Sequence, residues 1–331
     1  MKKILILGSN SFSGNHLVHF LIKKNFNVIG CSKSHLSKKK FNCLSLLPSK
    51  KVKKFKFIRI DINKDFKKLE EIITNNKPSI IIDFLGQGMV AESWKYPYLT
   101  FNTNVLSKIR LYEFLKKKKF LKKYIKISTP EVFGSANITT SKYKKYNPST
   151  PYALSHSSIE NYLSLLYKQC SFPVIISRFA NFYGPYQKLY RLIPLAIHKA
   201  EKKENFPLHG GGQSKRSFIF SDDFCNAIYK LIKKGKIGEC YQFSSIEYFT
   251  IKRIVEIIYK KKNLNPKKYI KNVKDRPGKD KDYKIFDDDT RKKLKWKNRT
   301  KIDDGINQVI EWYNNHKNEF KKIEEKFKIQ K

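Results

Sequence analysis

Acid is what this sequence has least of. Only 28 aspartates and glutamates face 70 lysines and arginines over 331 residues, a formal net charge of +42. Such an excess raises nucleic acid as a partner. The lysines, however, come in short runs at 38–40, 50–54, 116–119 and 260–262, spread along the whole chain. Most fall in loops or late helical turns, where solvent and the helix dipole accommodate them. No zinc-finger spacing or aromatic RNA-binding signature accompanies them. They read as a compositional bias, with no nucleic-acid partner and a field that favours small anionic ligands. Cysteine is sparse too: Cys31, Cys43, Cys170, Cys225 and Cys240, an odd number without a CxxC pair. That pattern argues against a disulfide framework or a zinc ribbon and fits a reducing, cytoplasmic setting with no metal site. No apolar run reaches the roughly 18–20 residues a membrane helix needs, so no membrane association is expected. The opening "MKKILILGSN" is basic and then apolar, but the apolar run ends in glycine, serine and asparagine without a cleavage site. It reads as a buried first strand. Internal repeats are absent as well.

What is present is an alternation. Runs of strand character lie at 3–7 (KILIL), 27–31, 54–62, 79–86, 124–128 and 173–179. Between them come helically spaced segments, such as 15–25, 102–119 and 151–169. Strand and helix in turn with short connections predict an α/β fold, a Rossmann-type doubly wound parallel sheet. From about Gly184 the rhythm changes to turn-rich sequence ("YGPYQ", "HGGGQ", "DRPGKD") and shorter elements. Residues 1–183 are therefore expected to form a dinucleotide-binding domain. The strand-like 240–245, within a stretch 225–248, is expected to rejoin it. Residues 184–331 are expected to form a smaller, interleaved substrate-binding region.

The first strand runs directly into "GSNSFSG", with Gly8 and Gly14 six residues apart and a helix behind them. Gly8 permits the tight turn, Gly14 permits close helix–strand packing, and the helix N-terminus presents N–H groups to a pyrophosphate. Ser11 stands where a middle glycine is usual, and its hydroxyl can itself bond a phosphate oxygen. The second strand ends in "GCSKSH" without the acid that would hold the ribose hydroxyls of NAD. Ser32 and Lys33 would suit a 2′-phosphate, so both NAD and NADP stay open. Asp61, after the third strand, stands where an acid meets the adenine amino group.

Several stretches together resemble the extended short-chain dehydrogenase/reductases that act on nucleotide sugars, above all the 4,6-dehydratases of the dTDP-glucose type. They are "GSNSFSG", "STPEVFG" (128–134), "PYALSH" (151–156), "RFANFYGPYQ" (178–187), "LIPLAIHKA" (192–200), "HGGGQSKRSFIFSDD" (209–223), "DRPGKDKDYKIF" (275–286) and "LKWKNRTKIDDGINQVIEWY" (294–313). The resemblance implies a tightly bound NAD or NADP, a nucleotide-diphosphate sugar as substrate, and a homodimer formed through the helices near 104–119 and 152–169. It implies catalytic roles for Thr129, Glu131, Tyr152 and His156. Cofactor contacts are implied for Gly8, Ser11, Phe12, Ser13, Gly14, Ser32, Lys33, Asp61, Ile62, Leu85, Gly86 and Thr103, with Tyr152 and His156. Substrate contacts are implied for Ser93, Asn181, Arg191, Leu192, Pro207, His209, Arg216 and Arg276.

In the family's chemistry Tyr152 would take the C4 hydroxyl proton while hydride passes to the nicotinamide, with Thr129 bonded to the same oxygen. Two departures stand out. The dehydratases read Thr-Asp-Glu where this chain has Thr129-Pro130-Glu131, so the carboxylate base is kept and the acid is replaced. His156 stands where the family lysine binds the nicotinamide ribose and lowers the tyrosine pKa. A histidine is mostly neutral at pH 7. The resemblance therefore points first to a 4,6-dehydratase-like lyase. A 4-epimerase or nucleotide-glucuronate decarboxylase stands as the alternative, and a catalytically impaired binding protein as the alternative of another class.

Overall fold

The structure, a computed structural model, describes residues 3–37, 41–134, 139–140, 145–275 and 284–320. Its strands are β1 (Lys3–Leu7), β2 (Asn27–Ser32), β3 (Phe55–Arg59), β4 (Ile80–Asp83), β5 (Lys123–Ser128), β6 (Thr139–Thr140), β7 (Val174–Phe179), β8 (Asn181–Tyr183), β9 (Phe206–His209), β10 (Lys215–Phe220), β11 (Cys240–Phe243), β12 (Tyr248–Thr250), β13 (Ile270–Val273) and β14 (Lys284–Ile285). Its α-helices are α1 (Phe12–Lys23), α2 (Ser49–Val52), α3 (Phe66–Asn76), α4 (Val90–Lys95), α5 (Pro97–Phe101), α6 (Ser107–Leu115), α7 (Pro151–Cys170), α8 (Leu192–Glu201), α9 (Ser221–Lys234), α10 (Ile251–Lys261), α11 (Pro266–Tyr269), α12 (Asp288–Leu294) and α13 (Ile302–His316).

Seven strands form one parallel sheet in the order β11-β7-β5-β4-β1-β2-β3. Chain order reverses between β1 and β4, and a doubly wound sheet opens its ligand crevice at that point, beyond the strands' C-terminal ends. The apolar run of β1 explains why it lies in the middle. Ile4 and Ile6 pack into a core on one face with α1 and α9, while Leu5 and Leu7 pack into a second core on the other face with α3, α6 and α7. All four are fully buried. A strand apolar on both sides is stable only between two helical layers.

A third core gathers Tyr183, Ile193, Ile197, Phe218, Ile254, Ile258, Ile306 and Trp312 from α8, α10, α13 and the strands between them. Beside it β12-β10-β8 form a three-stranded sheet and β13-β9 a parallel pair. Cys240–Phe243 pairs with β7 at the edge of the main sheet.

Several boundaries differ from the periodicity, two of them with a local cause. The helical segment from 102 opens with a π-helical turn, Asn102–Leu106, before α6 begins at Ser107. The third strand stops at Arg59 because Asp61 starts a turn: its Oδ1 accepts the Asn63 N–H at 3.0 Å, and its own N–H donates to Asp65.

Candidate active site

The crevice begins at the turn between β1 and α1. Gly8 has φ +80°, and a Cβ built on Gly14 would lie 2.3 Å from the Gly8 carbonyl oxygen. Both positions therefore require glycine, and the turn brings the N-terminus of α1 against the end of β1. Ser11 caps that helix, its Oγ accepting the Gly14 N–H at 3.1 Å. Its oxygen is thus engaged, and only its O–H proton is left for a phosphate. Ser13 is buried in the first turn, and Phe12 stacks on Phe182 with ring centroids 6.0 Å apart. This glycine cradle at a helix N-terminus fits a dinucleotide pyrophosphate.

Asn10 had no expected role, and it organises the neighbouring loop. Its N–H donates to Ser32 Oγ at 2.9 Å, its side-chain amide donates to Ser34 Oγ and the His35 carbonyl, and its Oδ1 accepts the Ser37 N–H. Lys33 pairs with Asp61 at 3.1 Å. Ile62 is buried behind Asp61. Leu85 and Gly86 follow β4 on the crevice side, the Leu85 N–H donating to Asp83. Thr103 accepts from the Asn63 side chain at 2.9 Å, which ties the π-helical turn to the loop after β3.

Thr129 leaves β5 and caps a short 3-10 turn, Pro130–Phe133, by accepting the Glu131 N–H at 3.2 Å. Tyr152 opens α7, whose entry is set by Thr150 capping Ala153 and by Pro151 in the first turn. The two come together: the Thr129 side chain lies close enough to the Tyr152 hydroxyl to lower its pKa. Burial and then the Glu131 charge push the Tyr152 hydroxyl well above the usual phenol range, against the Thr129 side chain and the Arg191 charge. The sequence-distant Thr129, Glu131, Tyr152 and Arg191 thus act on one another.

His156 lies one turn along α7, its ring 4.6 Å from the Tyr152 ring and its Nδ1 3.4 Å from Ser128 Oγ. Burial, and then the positive charge of Lys126, push its pKa down to about 3, so it is neutral at pH 7. That charge belongs to a group sequence reasoning missed. Asp83, at the end of β4, is fully buried and accepts from Lys108 Nζ, Tyr124 OH (2.7 Å), Lys126 Nζ (3.3 Å) and the Leu85 N–H. Lys108 is also fully buried, and burial lowers it to about 7 despite the carboxylate. Asp83 is held down at about 2 by the two lysines, against its own burial. The signal was a lysine inside an apolar buried strand, "KYIKIS", hidden by the lysine-rich composition.

On the substrate side Ser93 lies against the start of α7. It is fully buried, donates to the Val90 carbonyl at 2.7 Å and accepts the Tyr152 N–H at 3.1 Å. It therefore helps to position the start of α7. Asn181 is exposed on β8 opposite Phe218, and Arg216 lies on β10 opposite Phe249, its Nη1 donating to the Lys215 carbonyl. Arg191 is exposed at the N-terminus of α8, beside the half-buried Leu192. Pro207 and His209 lie on β9, with His209 Nδ1 3.1 Å from the Lys274 carbonyl. Arg276 lies outside the described residues. Among the described residues no cluster of His, Cys, Asp or Glu could hold a metal ion, and no helix is long and apolar enough to cross a membrane.

A doubly wound sheet with a glycine turn at its switch point, and a Thr–Tyr pair at the ends of β5 and α7, define a dinucleotide-dependent enzyme of the extended short-chain dehydrogenase/reductase class. Comparison with known proteins narrows this. The sequence pattern of the GDP-mannose 4,6 dehydratase family matches residues 5–309, and the chain belongs to that family. It is 27% identical over 335 residues to the dTDP-glucose 4,6-dehydratase of Haemophilus influenzae, covering 95% of this chain and 98% of that one. A trifunctional UDP-glucose 4,6-dehydratase, epimerase and reductase of Arabidopsis thaliana is 28% identical over 319 residues, and there the chain spans 47% of the relative's length. The structure of a Bacillus anthracis dTDP-glucose 4,6-dehydratase in complex with NAD superposes with a TM-score of 0.85 at 27% identity, covering 96% of this chain and 98% of that one.

Proposed function

We propose that this chain oxidises C4 of a nucleotide-diphosphate hexose and eliminates water across C5 and C6, as a 4,6-dehydratase. The observation that carries the reading is the side chain of Thr129 beside the Tyr152 hydroxyl, within the field of Glu131. A bound nicotinamide would supply the redox chemistry, accepting hydride from C4 and returning it to C6 after the elimination, with a proton returned to C5 to give the 4-keto-6-deoxy sugar. Tyr152 takes the C4 hydroxyl proton and Thr129 holds the same oxygen. Glu131 removes the C5 proton. Pro130 has no proton for the departing C6 hydroxyl, so water supplies it. Gly8, Ser11, Phe12, Ser13, Gly14, Ser32, Lys33, Asp61, Ile62, Leu85, Gly86 and Thr103 would hold the dinucleotide. Ser93, Asn181, Arg191, Leu192, Pro207, His209, Arg216 and Arg276 would hold the nucleotide-sugar.

In this reading residues 1–183, with 225–248, bind the dinucleotide and residues 184–331 close over the sugar nucleotide. Homodimerisation is supported by Leu106, Leu154 and Leu165, exposed on the surface of the π-helical turn and α7. Free cysteines at all five positions are compatible with the cytoplasm.

The test is incubation with dTDP-, UDP-, GDP- and CDP-linked glucose and mannose, monitoring a 4-keto-6-deoxy product. No product and no reduced nicotinamide from any of them would refute the reading. A second reading, 4-epimerisation or decarboxylation of a nucleotide-glucuronate, is favoured by the absence of an acid at Pro130. Inverted sugar or released carbon dioxide in the same panel, extended to UDP-glucuronate, would select it. An impaired, binding-only protein is favoured by the neutral His156 and is excluded by any turnover that Tyr152→Phe abolishes.

A further inference from the structure

We infer that the buried Asp83–Lys108–Lys126 cluster belongs to the proposed active site: Lys126 is a positioning residue that supplies, from the strand beneath α7, the positive charge that His156 does not carry. The inference rests on the C4 oxidation by Tyr152 proposed above and adds to it groups that lie outside the motifs.

Strands β4 and β5 run parallel with Asp83 directly opposite Lys126. Side chains alternate along a strand, so Tyr124, Lys126 and Ser128 share one face of β5. Tyr124 OH and Lys126 Nζ both donate to Asp83 Oδ2, at 2.7 and 3.3 Å, while Lys108 reaches Oδ1 from α6. Ser128 Oγ lies 3.4 Å from His156 Nδ1, and the His156 ring lies 4.6 Å from the Tyr152 ring. One turn before Lys108, the Asn104 side chain donates to Ser155 Oγ at 3.0 Å, which ties the π-helical turn to α7 beside His156. The groups thus follow one another from the sheet to the tyrosine.

A structural ion pair at this place would need one lysine. Asp83, Lys108 and Lys126 are all buried. A second lysine on one carboxylate leaves a cation in excess, and an uncompensated buried charge is costly. Perturbed charges of this kind gather at functional sites. What faces the excess is His156. Lys126 acts on it more strongly than Asp83 does, and Lys108 less strongly than either, so the cluster turns a positive end toward α7. A lysine at 156 would sit against that positive end, whereas a neutral imidazole does not repel it. Histidine on the helix and lysine on the strand therefore form one arrangement, with the cation moved from α7 to β5. Tyr112 from α6 and Tyr124 from β5 complete the surroundings of the cluster. Burial lowers Lys108 to about 7, so it adds its charge only below that pH, and Lys126 carries the effect above it.

The experiment compares Lys126→Met with the wild-type full chain in two measurements. Asp83 keeps Lys108 in this variant, and circular dichroism and melting would establish that it is folded. Should it fail to fold, Lys126→Gln, whose amide can still donate to Asp83, is measured in its place. The first measurement is calorimetric binding of NAD⁺ and NADH to protein freed of nucleotide. Loss of a positive charge near Tyr152 should favour the cationic nicotinamide, raising NAD⁺ affinity relative to NADH by about tenfold. The second is the pH dependence of nicotinamide reduction in a single turnover, whose ascending limb should move toward alkali by about one pH unit. Lys126→Arg, which keeps the charge, should leave both near wild type, and His156→Lys added to Lys126→Met should move the limb back. A purely structural lysine would alter melting and neither readout. An unmoved affinity ratio, or an unmoved limb in an active enzyme, overturns the inference and leaves the proposed reaction standing. A wild-type chain that binds dinucleotide but reduces none with any sugar nucleotide overturns the proposed reaction, and the affinity ratio then still decides whether Lys126 supplies the charge.

Discussion

His156→Lys puts the cation of the family's pattern back on α7, and its effect can be worked out. At present His156 is neutral, with a pKa of about 3, and Tyr152 is held well above the phenol range by burial and by Glu131. The rings lie 4.6 Å apart. An ammonium about 6 Å from the phenolate oxygen, at an effective dielectric of about 20, is worth about 3 kcal/mol, or roughly a hundredfold in the phenolate fraction. The cost comes from Lys126 and Lys108 behind it. Lys108 titrates at about 7. Above that pH it is neutral, Asp83 balances Lys126, and a third lysine is tolerated. The assay is the pH dependence of nicotinamide reduction in a single turnover. The ascending limb should move toward acid by about two pH units, with the largest gain above pH 7. An unmoved limb in a folded, cofactor-binding variant would refute the electrostatic reasoning. Complete loss of activity would show that His156 has a role of its own.

Tyr152→Phe should lower turnover by about 10²–10⁴-fold, the usual worth of a positioned proton acceptor, with dinucleotide affinity retained in a calorimetric titration. Asp83→Asn removes the carboxylate from two buried lysines and should cost about 3–5 kcal/mol in a denaturant melt. The wild-type contribution of Asp83, whose folded pKa is depressed to about 2, is present above about pH 4 and lost as pH falls through 2. Lys108 acts with the same sign in a higher pH window: its folded pKa of about 7 lies below 10.5, so the unfolded chain binds the extra proton and stability rises between those values. Lys108→Met should flatten that rise, and melting curves from pH 7 to 10 would detect it. Gly14→Ala would drive a Cβ to 2.3 Å from the Gly8 carbonyl and should abolish measurable dinucleotide binding.

Much of the fold was legible because its signals are local. The "KILIL" run is buried on both faces, and the Gly8–Gly14 spacing can be read without knowing what packs beside it. Thr129 and Tyr152 were read from their motifs, and the two side chains lie near each other. The partners of Ser93 were not legible, because its motif says which residue is present and not where its hydroxyl points. That hydroxyl is spent on the Val90 carbonyl and the Tyr152 N–H. The buried lysines were not legible. Lys108 and Lys126 look like two more of a large surplus, and only the pairing of β4 with β5 and the packing of α6 set both on Asp83.

The sequence by itself determined the doubly wound sheet, the glycine turn and the candidate tyrosine and threonine, because strand period, turn geometry and motif order are properties of neighbouring residues. Tertiary structure alone decided the charge state around that tyrosine. Whether His156 is neutral, and whether Lys108 and Lys126 converge on Asp83, depends on desolvation and on distances between residues far apart in the chain. Those quantities exist only once the strands are paired.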